Sequence, residues 1–405
     1  MSLEALDIRT PLSELNSEFH AELLRIADWW LTYAQDHERG GFYGEVGIDN
    51  APNASADKGV VLNTRVLWFF SELALAVPQA AYREAADRAY QYLLDYFLDP
   101  EHGGVYWLLD CEGHPKDTKK QIYAQAFAIY ALVSYHQLSG DARALQEAQK
   151  AFSLLEQYGR DRAKGGYLEA FTRCWESMDD VRLSDKDLNC PKSMNTHLHV
   201  LEAYSTLYKV DASTEVADAL RYAIDCFDRQ IINKDNFHLR MFMDYDWRDH
   251  SPSYTYGHDI ETSWLLAKAV ESLNEPGVTQ RLMPSILGIA DVCLREAMGE
   301  HGEMYDGYEF HDQSVNRDRV WWVQAEAMVG FYKAYCLCGE ERYAQAAAGL
   351  WQFIKDYHLA DNGEWLWLSK LDDQSNAPAY KLGPWKGPYH NGRAMLEMQK
   401  LVSTH

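Results

Sequence analysis

Three histidines stand near the starts of segments with helical apolar spacing: His199 in Met194-Asn195-Thr196-His197-Leu198-His199, His258 in Tyr256-Gly257-His258-Asp259-Ile260-Glu261, and His390 in Gly387-Pro388-Tyr389-His390-Asn391-Gly392-Arg393. Imidazole takes and gives protons near neutral pH, so three such groups suit reversible proton transfer. His258 and Glu261 are three residues apart and share one helix face, which predicts that Glu261 orients His258 and raises its basicity. His197 and His199 are two apart and point in different directions, so one of them faces inward. Arg65 lies in an apolar helix, Leu62-Asn63-Thr64-Arg65-Val66-Leu67-Trp68. A buried guanidinium needs anions. Either Glu261 and Glu326 neutralise it, or it is reserved for oxyanion charge that develops during a reaction. No His-x-x-x-His or similar ligand spacing is present, and no metal is expected. The paired glycines lead into strands rather than helices, so no phosphate-cradling loop is expected either.

These groups are far apart in the chain, and a repeat explains how they could meet. Glu38-Arg39-Gly40-Gly41-Phe42-Tyr43 returns as Glu101-His102-Gly103-Gly104-Val105-Tyr106 and as Ala163-Lys164-Gly165-Gly166-Tyr167. Weaker copies are His301-Gly302-Glu303-Met304-Tyr305 and Asn362-Gly363-Glu364-Trp365, and Asn236-Phe237-His238-Leu239 fills the vacant slot. The spacing, about 60 to 70 residues, is the length of two helices plus connections. Each phrase reads as a Gly-turned hairpin. Between the phrases the pattern predicts helices near 13–35, 59–77, 80–98, 119–138, 141–158, 192–209, 213–231, 257–274, 278–298, 319–338, 341–357 and 387–402. Six helix pairs sharing one core predict an all-α toroid, an (α/α)6 barrel, with an open solenoid as the rival. No linker divides the chain, so residues 1–405 are expected to form one domain. The second helix of each pair carries the unusual polar groups: Arg65, Tyr123 and Gln125, Asn195 and His199, His258 and Glu261, Gln324 and Glu326, His390 and Arg393. If those helices are the inner ones, all these groups line one cavity of small-molecule size.

The 405 residues carry a formal charge of −23, which argues against a nucleic-acid partner. No apolar run is long enough to span a bilayer, and Met1-Ser2-Leu3-Glu4 does not open a signal peptide. The seven cysteines are scattered and odd in number, as free thiols in a reducing cytoplasm would be. Most of the 13 Trp and 26 Tyr must be core, but such an abundance is also what a sugar-binding cleft would show.

Taken together, the segments 194–199, 256–261, Trp321-Trp322-Val323-Gln324-Ala325-Glu326 and Trp385 to Arg393 resemble cellobiose 2-epimerases of the N-acylglucosamine 2-epimerase superfamily. Asp57-Lys58-Gly59, Asn63 to Trp68 and Gly103-Gly104-Val105-Tyr106-Trp107 share the likeness, which runs over nearly the whole chain. The resemblance implies an (α/α)6 barrel and a cofactor-free epimerase acting at C2 of a reducing-end glucose or mannose unit. It implies His258 and His390 as the two proton carriers and Arg65, assisted by His199, at the enediolate oxygens. Glu261 then tunes His258. Trp322 and Trp385 match positions that stack on sugar rings, and Tyr123, Asp187, Asn195 and Glu326 bond hydroxyls. The segment His301 to Asp318, with Tyr305, Tyr308 and Phe310, departs from the pattern and leaves the outer part of the substrate open.

The same enediolate would serve a mannose 2-epimerase or a mannose–fructose isomerase. A glycoside hydrolase needs paired carboxyls across the scissile bond, and this site is richer in histidine. A non-catalytic glycan binder would not need His258 and His390 together. The expected state is a cytoplasmic monomer or weak homo-oligomer taking a small sugar.

Overall fold

The computed structural model describes residues 12–404. The expectation about a leader at Met1 to Glu4 lies outside the described residues. Among them are twelve α-helices: α1 (Leu12–Tyr33), α2 (Val60–Ala76), α3 (Ala80–Tyr92), α4 (Ile122–Ser139), α5 (Ala142–Leu154), α6 (Met194–Tyr208), α7 (Thr214–Cys226), α8 (Tyr256–Leu273), α9 (Pro276–Glu296), α10 (Trp321–Cys338), α11 (Glu341–Tyr357) and α12 (His390–Thr404). All twelve expected helices are present. α3, α5 and α7 each run on into a five-residue π-turn that apolar periodicity does not reveal.

The even-numbered helices pack in sequence, α2 on α4, α4 on α6, α6 on α8, α8 on α10 and α10 on α12, and α12 returns to touch α2. Each is backed by one odd-numbered helix: α3 behind α2, α5 behind α4, α7 behind α6, α9 behind α8, α11 behind α10 and α1 behind α12. The result is an all-α toroid. The inner helices are apolar almost all round, as helices flanked on every side must be: fourteen residues of α4 are buried. The outer helices are amphipathic, for example α5, which buries only Ala144, Ala148, Ala151 and Phe152. No helix of the described residues is long and apolar enough to cross a membrane.

The repeated phrase forms a tight reversal closed by one bridge, Gln35 to Phe42, Leu98 to Val105, Arg160 to Tyr167, Ile232 to Leu239, Met298 to Met304 and Ala360 to Gly363. In the first three, both glycines are left-handed, with φ of +81° and +63° at Gly40 and Gly41, a conformation that costs an ordinary side chain dearly. The slot without glycines makes the same reversal with Phe237 at φ 65°.

An aspartate and a lysine fasten the first three reversals. Lys58 Nζ lies 2.8 Å from Asp36, Lys120 Nζ 2.9 Å from Asp99 and Lys192 Nζ 3.0 Å from Asp161. Each aspartate also accepts backbone N–H groups of its own turn. Each lysine sits two residues before an inner helix, so the pair staples the reversal to the helix entry.

Candidate active site

The fourth and sixth residues of the inner helices have divided roles, because two positions apart on a helix are about 200° apart in direction. The first of each pair holds a reversal. Gln125 accepts from Val105 N at 2.8 Å and donates to Val105 O at 3.0 Å. Gln324 does the same to Met304, at 2.9 and 2.8 Å. His197 Nε2 accepts from Tyr167 N at 2.9 Å, and Asp259 accepts from Leu239 N at 3.0 Å. Gln125 and Gln324, expected in the cavity, are therefore backbone clamps. The residues two further on, Phe127, His199, Glu261 and Glu326, turn toward the axis, together with Arg65 of α2 and Arg393 of α12.

Arg393 is the hub of this inner ring. Its Nη1 donates to Glu202 Oε1 at 2.6 Å and to the Tyr389 hydroxyl, and its Nη2 donates to Glu326 Oε1 at 2.7 Å and to Glu261. Glu202 also binds His199 Nδ1 at 3.0 Å. Burial opposes ionisation of Glu202, but Arg393 and His199 hold its pKa at about 2. Glu326 Oε1 lies 2.6 Å from His390 Nδ1, and its Oε2 accepts from Trp264 Nε1 at 3.0 Å. A carboxylate only accepts, so His390 carries its proton on Nδ1 and keeps Nε2 as the base. Burial, then the guanidiniums of Arg65 and Arg393, push the His390 pKa well down, leaving a neutral ring.

His258 stands apart from this network. Its Nδ1 lies 2.6 Å from Thr255 Oγ1, and burial beside His199 lowers its pKa to about 3. The expected His258–Glu261 partnership is not formed: Glu261 is bonded to Arg393, and burial followed by the charge of Glu326 raises its pKa to about 7. Glu326 also departs from its expected role, because both its oxygens are engaged by protein groups rather than free for a hydroxyl. The rings of His258 and His390 lie against the same indole, Trp322, with centroids 4.9 and 5.4 Å from it.

The expected neutralisation of Arg65 by Glu261 and Glu326 is not formed. Glu261 and Glu326 are taken by Arg393, and among the described residues no carboxylate pairs with Arg65. Its Nη2 donates to the Tyr123 hydroxyl at 2.9 Å, its plane lies 4.7 and 4.8 Å from the Phe127 and Tyr389 rings, and its Nε has no partner. It is 3% exposed, so an unneutralised cation is held in a nearly closed site. His199 lies edge-on to Tyr123 at 4.8 Å. Asn195, with an unpartnered Oδ1, and Asp187 line a small recess with His258. Asp187 accepts from Ser184 N and Oγ at 2.9 and 3.0 Å. Trp385 lies 6.2 Å from Tyr123 and 6.2 Å from Trp107, and helps line a cavity of about 290 Å³ with Arg182, Ser184 and Asp185.

Glu261, Glu326 and His390 place one donor atom each within 4.8 Å of one another, as a metal site would. Arg393 already bonds both carboxylates there, so the guanidinium fills the cation's role. Sequence reasoning placed Arg393 in the cavity without seeing that it binds the carboxylates, and gave no role to Glu202, Tyr389 or Thr255. Glu202 carried a readable signal, since it follows His199 by three residues just as Glu261 follows His258.

A toroid of paired helices, with imidazoles, a free guanidinium and tryptophans at one end of its axis, defines a carbohydrate-handling class of protein. The N-acylglucosamine 2-epimerase (GlcNAc 2-epimerase) family model matches residues 41–394. The chain belongs to that family. It is 41% identical to cellobiose 2-epimerase of Bacteroides fragilis over 95% of this chain and 98% of that one. It is 37% identical to cellobiose 2-epimerase of Ruminococcus albus, covering 94% and 97%. The structure of cellobiose 2-epimerase from Spirochaeta thermophila superposes with a TM-score of 0.91 at 39% identity, covering 98% of this chain and 99% of that one.

Proposed function

We propose that the chain is an isomerase, a cellobiose 2-epimerase that inverts C2 of the reducing-end glucose unit to give glucosyl-mannose. One observation carries the reading: two neutral imidazoles flank one indole, beside a buried guanidinium with no carboxylate partner. In the open-chain sugar the C2 proton is acidified by the neighbouring aldehyde. Nε2 of one histidine removes it, the electron pair forms the C1–C2 double bond, and O1 becomes an oxyanion. Arg65, assisted by His199, stabilises that charge. The other histidine, protonated at Nε2 from solvent water, delivers that proton to the opposite face of C2 as the aldehyde re-forms, and the first histidine returns its proton to solvent. Six inner helices present their N-terminal ends to the cavity, and the positive ends of their dipoles favour the same anion.

Trp322 and Trp385 serve as platforms for sugar rings, and Tyr123, Asp187 and Asn195 as hydroxyl partners. Glu326 and Glu261 act from behind, Glu326 on His390 directly and Glu261 through Arg393. The two concentric sets of helices are read as one (α/α)6 barrel forming a single domain. The relatives named cellobiose 2-epimerase, matched over nearly their full length, support this substrate over free mannose. Incubation with cellobiose, lactose, mannose and glucose followed by sugar chromatography tests it. Glucosyl-mannose from cellobiose is expected. Fructose from mannose would instead make it an aldose–ketose isomerase, and unchanged sugars would leave it a binder.

A further inference from the structure

For Nε2 alone to exchange protons with the cavity, each catalytic ring needs a partner on Nδ1. His390 has Glu326. For His258 the carboxylate one turn along is committed elsewhere, and the atom at hand is Thr255 Oγ1, at 2.6 Å. We propose that Thr255 is the positioning residue of His258: its hydroxyl accepts from Nδ1–H and keeps Nε2 aimed into the cavity. The inference deepens the epimerase reading and rests on it.

The hydroxyl is free for this task because the helix does not use it. Thr255 occupies the N-cap position of α8, with φ −116° and ψ 126°, yet its side chain caps nothing. Ser193 and Ser213, in the same position on α6 and α7, accept from Thr196 N and Val216 N. Such side chains ordinarily satisfy a backbone donor at the helix start. Thr255 forgoes that bond and faces the imidazole instead.

The oxygen is also anchored independently of the helix it serves. Thr255 ends a strand, Ser253–Thr255, paired with Gly307–Glu309 through Thr255 to Gly307 and Tyr254 to Tyr308. The Tyr254 ring is stacked on His238 at 3.6 Å and on Tyr308 at 5.4 Å. The strand that ends in Thr255 is thus fixed by its pairing with Gly307–Glu309 and by the stacked Tyr254 ring, and His258 is gripped from outside α8.

A hydroxyl differs from a carboxylate in what it does to charge. It can accept from Nδ1–H in both the neutral and protonated ring, so orientation survives proton transfer. It adds no negative charge, so nothing beside Nδ1 traps the proton on Nε2 between turnovers. Only Nε2 changes protonation.

Thr255→Val keeps shape and β-propensity but removes the hydroxyl, and Thr255→Ser restores it. For epimerisation of cellobiose, Thr255→Val should lower kcat by about 10- to 100-fold with KM within about twofold, while Thr255→Ser stays within about threefold of the parent. Nitrogen-15 NMR of the histidine rings in the unsubstituted protein should show His258 protonated at Nδ1 and not at Nε2. A parent-like kcat in Thr255→Val, or a His258 protonated at Nε2, overturns the proposal. The ring spectrum decides the matter even if the valine variant fails to fold. If the unsubstituted protein leaves cellobiose unchanged and exchanges no C2 hydrogen, the functional reading fails, and the ring spectrum still reports whether Thr255 holds His258.

Discussion

The first three turns of the toroid and the last three spend their polar residues differently. In the first three, a buried lysine and aspartate staple each reversal: Lys58 with Asp36, Lys120 with Asp99, Lys192 with Asp161. In the last three the pattern loosens: the lysine position holds Tyr254 before α8 and Arg319 before α10, where Arg319 pairs with Glu303 at 2.9 Å, while before α12 it holds Pro388 and the nearest lysine, Lys386, is 3.8 Å from Glu364. Those same turns supply His258, Glu261, Trp322, Glu326, His390 and Arg393. The regular half is built to be a scaffold, and its contribution to the cavity is mainly Arg65, Tyr123, Asn195 and His199. The turns where the repeat loosens are also the ones that carry the two histidines proposed as proton carriers and the carboxylates of the inner ring. Within the regular half the stapling lysines are paired with aspartates, whereas Arg65 has no carboxylate partner among the described residues.

Substitutions on either side should sharpen this contrast. The largest stability effect belongs to the scaffold. Lys58→Met leaves Asp36 buried without its cation and should cost roughly 3–5 kcal/mol in denaturant unfolding, while kcat of the folded protein stays within about threefold. Arg65→Met should do the reverse. Loss of an oxyanion-stabilising donor should lower kcat by about 10²–10³-fold, while the melting temperature holds or rises, because a guanidinium without a carboxylate partner is no longer buried. A melting temperature that collapses with Arg65→Met would put that residue in the scaffold.

A pH experiment separates the two uses of histidine on one helix. Burial lowers the pKa of the clamp His197 to about 4, below its unfolded value of about 6.5. The unfolded chain therefore binds the proton first as pH falls. The stabilisation is complete above about pH 6.5 and is lost progressively toward pH 4, by an amount on the order of 3 kcal/mol. His197→Gln, which places in α6 the residue used at the same position of α4 and α10, should flatten that part of the stability curve and leave activity near neutral pH unchanged. A curve of unaltered slope would show that His197 does not titrate in this window.

Much of the architecture was legible because apolar periodicity and the Gly-Gly phrases are local signals. The slot at Asn236 to Leu239 was found by spacing alone, and Phe237 bears the strain that glycine relieves elsewhere. The π-turns closing α3, α5 and α7 were not legible, since a widened turn leaves the apolar spacing nearly intact. In the site, polar residues on inner helices were correctly gathered, but their direction was not. Gln125 and Gln324 looked like cavity residues because nothing local says whether the fourth or the sixth position faces the axis. Pairing by three-residue spacing succeeded for His199 and Glu202, where it was not applied, and failed for His258 and Glu261. The reason is that Arg393, from the far end of the chain, competes for Glu261. Such competition depends on ring closure, which no single segment reports.

The central claim is that His258 and His390 exchange protons with one carbon. The direct measurement is solvent hydrogen incorporation at C2 of cellobiose in heavy water, comparing the unsubstituted protein with His390→Asn. Deuterium should enter C2 as glucosyl-mannose forms, and His390→Asn should lower both by about 10²–10⁴-fold with the fold intact. Epimerisation without deuterium incorporation, or near-parental exchange in His390→Asn, would contradict the account.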